Sequence, residues 1–90
     1  MTMTDLVEYY GTECHFCVQM APLVEKLEKE ENIKIEKKEV WHNVENAAEL
    51  QKIPEFLQCG GVPFFLNKKT KKIICGAADF EELKKWALGE

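Results

Sequence analysis

The sequence predicts an α/β fold with the element order β-α-β-α-β-β-α, in which a four-stranded mixed sheet carries helices on both faces. Three observations lead to this prediction. Short apolar and aromatic runs alternate with longer segments whose apolar residues recur at helical spacing. Strands separated by a helix favour a parallel, right-handed crossover. Only a tight turn at residues 67–70 separates the last two strands, which must therefore be antiparallel.

The four predicted strands are residues 6–10, 33–40, 62–66 and 71–75. The first predicted helix follows the first strand after a short loop. From Cys17 to about Asn32, apolar residues form a wide stripe at helical spacing, which indicates a helix with one buried face. Pro22 lies inside this helix and is expected to kink it.

The second and third helices are predicted from their capping residues. Asn46 is expected to cap the second helix, with Glu49 reaching back to it. This helix reaches at least residue 53, and Pro54 then ends it, kinks it or opens a second short turn through Gln58. Asp79 is expected to cap the last helix.

Composition limits the classes of function. The 90 residues suffice for one small domain, 1–90, and 46% hydrophobic with 31% charged residues is ordinary for a soluble globular protein. The net charge of −4 makes nucleic acid and anionic membranes unfavourable partners. All twelve basic residues are lysines, so no arginine is available to hold a carboxylate or phosphate with two hydrogen bonds.

The N-terminal sequence MTMTDLVEYY has no basic segment and no long apolar stretch, so we expect no signal peptide. No segment approaches the roughly 20 apolar residues that a membrane-spanning helix needs. We therefore expect a cytoplasmic protein. In that compartment a close cysteine pair is more often catalytic or metal-binding than a structural disulfide.

Cys14 and Cys17 lie between an apolar strand and a helix, with two residues between them. A helix N-terminus stabilises a thiolate through its unpaired N–H groups and its dipole. We therefore expect Cys14 to be the attacking thiol, and Cys17, less exposed and one turn further in, to be the resolving thiol. His15 could stabilise the Cys14 thiolate or could be an exposed spacer. Phe16 is either a surface contact beside the pair or a packed spacer.

Four motifs, in order along nearly the whole chain, resemble those of the thioredoxin-like superfamily. VEYY followed by CHFC resembles the active-site strand and motif of thioredoxins, glutaredoxins and protein disulfide isomerase domains. Residues 17–23 are similar to the thioredoxin helix with its kinking proline. Residues 61–63, Gly-Val-Pro, look like the cis-proline loop of that superfamily. Residues 76–79 resemble the segment that begins with a glycine and precedes the final helix.

The resemblance implies a minimal thioredoxin fold and a thiol–disulfide oxidoreductase. It implies that Pro63 is cis and faces the cysteine pair, that Val62 offers backbone hydrogen bonds to an extended substrate, and that Gly61 belongs to the same loop. Without the resemblance, Pro63 would be taken for an ordinary trans-proline that opens a strand. The His-Phe spacer matches neither the Gly-Pro usual in thioredoxins nor the Pro-Tyr common in glutaredoxins, so the subfamily stays open.

Glu8 is a carboxylate within an otherwise apolar strand. Burial there is costly unless the group is neutral or paired, and it should raise the pKa of Glu8. The alternative is an edge position with the carboxylate in water. The resemblance implies that Glu8 is the buried acid that accepts the proton of the resolving cysteine. Lys37, on the neighbouring strand, is either its partner or a plain surface lysine.

The other two cysteines, Cys59 and Cys75, are expected to be buried structural thiols. Cys59 alternatively lies at the rim of the active site, where it could be glutathionylated or could bridge two molecules. A zinc site from Cys14, Cys17, Cys59 and a histidine is a further alternative, as is an iron–sulfur cluster held by Cys14 of two chains. Structural zinc usually needs two close ligand pairs, and the sequence has one, so we expect no metal.

The sequence therefore predicts a monomeric enzyme without a cofactor that reduces disulfide-containing protein substrates through Cys14 and Cys17. Its electron donor would be a thioredoxin-reductase-like enzyme. In the alternative, a glutaredoxin-like enzyme, glutathione would be the donor, and lysine would have to hold the glutathione carboxylates.

Overall fold

The computed structural model describes residues 5–89 and has the predicted α/β class. Residues 1–4, on which part of the signal-peptide expectation rests, and residue 90 lie outside the described residues. The elements in chain order are β1 (Leu6–Tyr10), α1 (His15–Glu31), β2 (Glu36–Glu39), α2 (Val44–Gln51), α3 (Pro54–Cys59), β3 (Phe64–Asn67), β4 (Ile73–Cys75) and α4 (Phe80–Leu88). Within residues 5–89, no helix is long and apolar enough to cross a membrane.

The four strands form one mixed sheet in the order β2-β1-β3-β4. β1 is parallel to β2 and antiparallel to β3, and β3 is antiparallel to β4. β1 is therefore an inner strand, and its carboxyl end leads directly into the loop before α1. Open α/β sheets place their chemistry at such an end.

A hydrophobic core lies on each face of the sheet. The first core, between the sheet and helices α1 and α4, contains Leu6, Met20, Val24, Leu27, Ile35, Phe65, Leu83 and Trp86. The second, beneath α2 and α3, contains Val7, Tyr9, Val40, Leu50, Phe56 and Phe64. Because side chains alternate along a strand, Glu8 points to the same side as Leu6, toward α1.

The start of α2 differs from the prediction. Asn43, rather than Asn46, is the N-cap, and its side chain accepts a hydrogen bond from the Asn46 N–H at 3.0 Å. The Asn46 side-chain amide donates to the Glu39 carbonyl oxygen instead. Glu49 does not reach back along the helix, because its carboxylate accepts hydrogen bonds from Lys38 and from the Tyr9 hydroxyl. The cap therefore lies three residues earlier than the pattern indicated.

Strands β2, β3 and β4 are shorter than predicted. β2 begins at Glu36, since the Ile35 N–H donates to the Glu28 carboxylate rather than to a neighbouring strand. β3 begins at Phe64, after the proline, and β4 begins at Ile73. Of the three alternatives for Pro54, the structure has the separate short helix: Pro54 is the first residue of α3.

The expectation that Cys59 and Cys75 are buried free thiols is wrong. They form a disulfide between the last residue of α3 and the last residue of β4, with Cα atoms 5.7 Å apart. Cys75 is exposed and Cys59 is half-buried. The hairpin of β3 and β4 returns the chain to the end of α3, so two cysteines separated by 16 positions meet. Cys59 is therefore not the free rim thiol of the alternative interpretation.

Replacing both Cys59 and Cys75 by serine is expected to lower the free energy of unfolding of the oxidised protein by about 3 kcal/mol, because a closed loop of this size restricts the unfolded chain by that amount. Urea denaturation measures the change. In dithiothreitol the variant and the wild-type protein should unfold together. Equal stability of the two oxidised proteins would show that the crosslink contributes nothing.

Candidate active site

Cys14 and Cys17 meet at the N-terminus of α1. Cys14 is the N-cap residue, and its Sγ accepts a hydrogen bond from the Cys17 N–H at 3.1 Å. The two residues form a disulfide with Cα atoms 5.1 Å apart. On reduction, the same N–H and the positive end of the helix dipole would stabilise a thiolate at Cys14. This geometry suits Cys14 to the role of nucleophile.

The expected difference in exposure between the two cysteines is wrong. Cys14 is 5% exposed and Cys17 is 6% exposed. Cys14 is covered because its Sγ lies 3.6 Å from the Val62 carbonyl oxygen, on the loop before β3. That loop therefore borders the Cys14 sulfur.

The loop at residues 61–63 lies beside Cys14 and contains the cis bond that the resemblance implied. The Val62–Pro63 peptide bond is cis, as predicted. Pro63 is buried, and its carbonyl oxygen accepts a hydrogen bond from the Gly76 N–H at 2.9 Å. Within residues 5–89 the Val62 N–H has no hydrogen-bond partner. Beside the disulfide, the loop thus offers a backbone donor to an extended peptide.

Glu8 is 4% exposed, which excludes the alternative of an edge position with the carboxylate in water. Loss of hydration on burial raises the pKa of Glu8 from 4.5 to about 7. The positive charge of Lys37 opposes this rise, and the negative charge of Glu28 adds to it. A carboxyl group that titrates near neutral pH can exchange protons with a thiol under physiological conditions.

Lys37 lies opposite Glu8 in the parallel register of β1 and β2. Its ammonium group pairs with the Glu28 carboxylate at 3.2 Å and also donates to the Ile35 carbonyl oxygen. Among the described residues, Lys37 thus forms its ion pair with Glu28 rather than with Glu8. Lys37 acts on Glu8 only through its charge.

Both residues of the spacer lie at the surface. Phe16 is 55% exposed, so it is a surface side chain rather than a packed one. The His15 ring contacts Phe16 edge-on, with ring centroids 5.8 Å apart. It also forms a hydrogen bond with the Gln19 side chain at 3.1 Å. A molecule that reaches the disulfide from outside would meet this aromatic pair.

The structure adds contacts that the sequence did not indicate. Glu13, directly before Cys14, pairs with His42 at 2.8 Å and joins the active-site loop to the loop after β2. The Glu13 carboxylate raises the pKa of His42, and His42 lowers the pKa of Glu13. Trp41, half-exposed, covers Gly11 so closely that any side chain at Gly11 would clash with the indole. No motif relates these residues, because only the pairing of β1 with β2 brings the two loops together.

A cleft of about 180 Å³ lies beside the loop at residues 61–63. Trp41, Leu50, Phe56 and Val62 contribute apolar surface to it. It can accommodate an apolar side chain beside Val62, whose carbonyl oxygen lies 3.6 Å from the Cys14 Sγ.

The ligands of the alternative zinc site are not assembled. Cys14 is bonded to Cys17, and Cys59 is bonded to Cys75. Across residues 5–89, no group of three or more histidine, cysteine, aspartate or glutamate side chains is arranged to hold a metal ion.

Comparison with solved structures shows that the chain has a thioredoxin-like fold. The chain is similar to the crystal structure of the glutaredoxin (grx-1) from Archaeoglobus fulgidus, with a TM-score of 0.65 over 93% of this chain and 86% of that chain. The two sequences are 19% identical, so this likeness concerns the fold. No protein-family description and no curated protein sequence matches the chain significantly.

Proposed function

We propose that this protein is a thiol–disulfide oxidoreductase that reduces protein disulfides by cycling Cys14 and Cys17 between dithiol and disulfide. One observation carries the proposal. The Cys14 Sγ accepts the Cys17 N–H at the start of α1 and also lies against the Val62 carbonyl oxygen. The Cys14 sulfur is thus both the better stabilised thiolate of the pair and the sulfur that lies beside the Val62 backbone. An extended peptide can bind to that backbone.

The reaction proceeds in two exchanges. The Cys14 thiolate attacks one sulfur of the substrate disulfide, and the other substrate sulfur leaves as a thiolate. Cys17 then loses its proton and attacks the Cys14 sulfur, which releases the second substrate sulfur and closes the Cys14–Cys17 disulfide. Two electrons pass from the enzyme to the substrate. The two substrate thiolates bind two protons: one is the proton that Cys17 releases, and the other comes from the solvent, which received it when Cys14 ionised.

Glu8 accepts the proton of Cys17 in the second exchange. Its pKa of about 7 lies close enough to that of a thiol for transfer in either direction. Glu8 faces the α1 side of the sheet, and Cys17 lies in the first turn of α1. Lys37 tunes this pKa downward through its charge.

Substrate binding uses the loop at residues 61–63 and the surface around it. An extended substrate segment pairs with the Val62 N–H, and an apolar side chain of that segment enters the cleft beside Trp41. His15 and Phe16 contact the substrate from the opposite rim. Gly61, exposed, leaves room for the substrate backbone.

The donor that restores the dithiol is a thioredoxin-reductase-like enzyme. Glutathione is the second candidate, and the likeness of the fold to a glutaredoxin structure favours it. With glutathione, lysines would hold the carboxylates, because the chain contains no arginine. We place the protein in the cytoplasm as a monomeric single domain that needs no cofactor.

Replacing Cys17 by serine tests the resolving role. The variant keeps the Cys17 N–H to Cys14 but has no thiol for the second exchange, so stable mixed disulfides with substrate should accumulate. Incubation with insulin, followed by non-reducing electrophoresis and mass measurement, detects them. The double variant C14S/C17S is the control and should form none at this motif. Absence of any adduct with Cys17→Ser would contradict the proposed function.

A further inference from the structure

We infer that Cys59–Cys75 is a second redox couple, whose state controls the loop that presents substrate to Cys14. The inference rests on the proposed function, since it concerns regulation of the same site.

The second disulfide is more accessible than the first. Cys75 is exposed at the end of β4, and Cys59 is half-buried, whereas Cys14 and Cys17 are both buried. Thiol–disulfide exchange requires a thiolate to reach a sulfur, so an external dithiol can attack Cys75 without unfolding the protein. An exposed disulfide is more readily reduced than a buried structural one.

The second disulfide also adjoins the substrate loop. Cys59 directly precedes residues 60–63, and its Sγ lies 3.6 Å from the Gly61 carbonyl oxygen. The Cys14 Sγ lies at the same distance from the next carbonyl oxygen, that of Val62. The two disulfides therefore contact consecutive peptide groups of one loop.

Residues 60 and 61 of this loop make few contacts, whereas Val62 packs against the second core and Pro63 is buried. Gly60 ends α3 in the left-handed region, with φ of 80° and its N–H bonded to the Phe56 carbonyl oxygen. A β-carbon placed at Gly60 or Gly61 would meet no atom within 4 Å, so the side-chain positions of these two residues face open space. On the other side, Gly76, next to Cys75, donates its N–H to the Pro63 carbonyl oxygen. The disulfide holds together the two segments from which these hydrogen bonds come.

Reduction is a balanced exchange with a dithiol, either a dithiol protein or a small molecule such as dithiothreitol. Its thiolate attacks the Cys75 sulfur, and Cys59 leaves as a thiolate and takes a proton. The second donor thiol then resolves the mixed disulfide and frees Cys75 as a thiol. The donor becomes a disulfide, and two electrons and two protons pass to Cys59 and Cys75. The ends of α3 and β4 then separate more easily, and the Val62 backbone is less well fixed for substrate.

The first test isolates the second couple in the variant C14S/C17S. The folded variant is equilibrated with dithiothreitol redox buffers without denaturant. Its free thiols are then alkylated, and mass spectrometry counts the added groups. Hydrogen exchange is followed by NMR in the oxidised and reduced states. Reduction should add two alkyl groups in one transition and accelerate exchange of the Gly60 and Gly76 amides about tenfold or more, because local opening sets their rates.

The control amide is that of Leu83, which donates to the Asp79 carbonyl oxygen in α4. Its exchange should be unchanged. Two results would overturn the inference: reduction of Cys59–Cys75 only in denaturant, or exchange at Gly60 and Gly76 that is the same in both states. This test does not depend on catalytic activity, so it decides the matter even if the proposed function fails.

The second test measures how fast Cys14 forms a mixed disulfide with insulin. In Cys17→Ser, Cys14 is a free thiol while Cys59–Cys75 stays oxidised, so no reductant is needed during the assay. Adding C59S/C75S should slow adduct formation about tenfold, while adding Leu83→Ala, which destabilises the core on the other face of the sheet, should change it less than about twofold. The inference would be wrong if adding C59S/C75S left the rate of adduct formation unchanged. It would also be wrong if C59S/C75S and Leu83→Ala slowed adduct formation equally. No adduct at all in Cys17→Ser would refute the proposed function instead.

Discussion

Replacing Cys14 by serine is expected to abolish disulfide reduction, with kcat/KM falling about a thousandfold or more, because a neutral hydroxyl cannot replace the thiolate that attacks the substrate. The fold should survive the change. Serine is a good N-cap residue, so its hydroxyl can accept the Cys17 N–H that the Cys14 sulfur accepts now. Loss of activity would then report the chemistry rather than the helix.

The assay follows insulin reduction with dithiothreitol as donor, and circular dichroism confirms the helix content. Glu25→Ser is the matched control, since Glu25 is exposed on the same helix, about three turns from the reactive end. It should retain wild-type activity. More than about a tenth of wild-type activity in Cys14→Ser would mean that another group is the nucleophile.

Replacing Glu8 by glutamine is expected to change how stability depends on pH. Between pH 4.5 and about 7 the folded protein holds a proton on Glu8 that the unfolded chain has lost. The free energy of unfolding therefore falls as the pH rises through this window, by up to about 3 kcal/mol in total. Glutamine has no such proton, so the variant should lose this slope and be more stable than the wild-type protein at pH 8.

Urea denaturation of the oxidised proteins at pH 5 and pH 8 measures the slope, and the disulfides ensure that no thiol titrates. Glu25→Gln makes the same chemical change at an exposed position and should leave the slope intact. If Glu8→Gln and the wild-type protein keep the same difference between pH 5 and pH 8, Glu8 does not carry a raised pKa.

The same variant separates stability from catalysis. Without a carboxylate to accept the Cys17 proton, turnover near pH 7 should fall about a hundredfold, which is the scale of general base catalysis. The pH–rate profile should lose its ionisation near pH 7. A variant that is more stable at pH 8 but slower near neutral pH would show that the burial of Glu8 serves the reaction. An unchanged profile would refute the proton transfer.

Local patterns predicted the part of the fold that holds the cysteine pair. The apolar run gave β1 with its observed bounds, and the start of α1 lies two residues from its predicted position, with Cys14 as cap. Glu8 could be predicted to be buried because its neighbours in the strand are apolar. The cis bond before Pro63 followed from a resemblance, not from local propensity.

The features that were predicted wrongly or missed depend on contacts between elements, which the local sequence does not determine. Asn43 and Asn46 are both good caps, and the Glu39 carbonyl oxygen that binds the Asn46 side chain belongs to another element. The Cys59–Cys75 disulfide depends on the register of the hairpin that follows α3. The Glu13–His42 pair depends on β1 lying beside β2. Each of these contacts joins different segments of the chain, so it depends on how those segments pack.

The reduction potential of the Cys14–Cys17 couple distinguishes a disulfide reductase from a structural disulfide and from an oxidant. The variant C59S/C75S, which contains only this couple, is equilibrated with dithiothreitol redox buffers, and alkylated thiols are counted by mass. We expect one two-electron transition between about −270 and −200 mV, the range of disulfide reductases. A potential below about −300 mV would indicate a structural disulfide, and one above about −180 mV an oxidant or isomerase; either would contradict the proposed reductase.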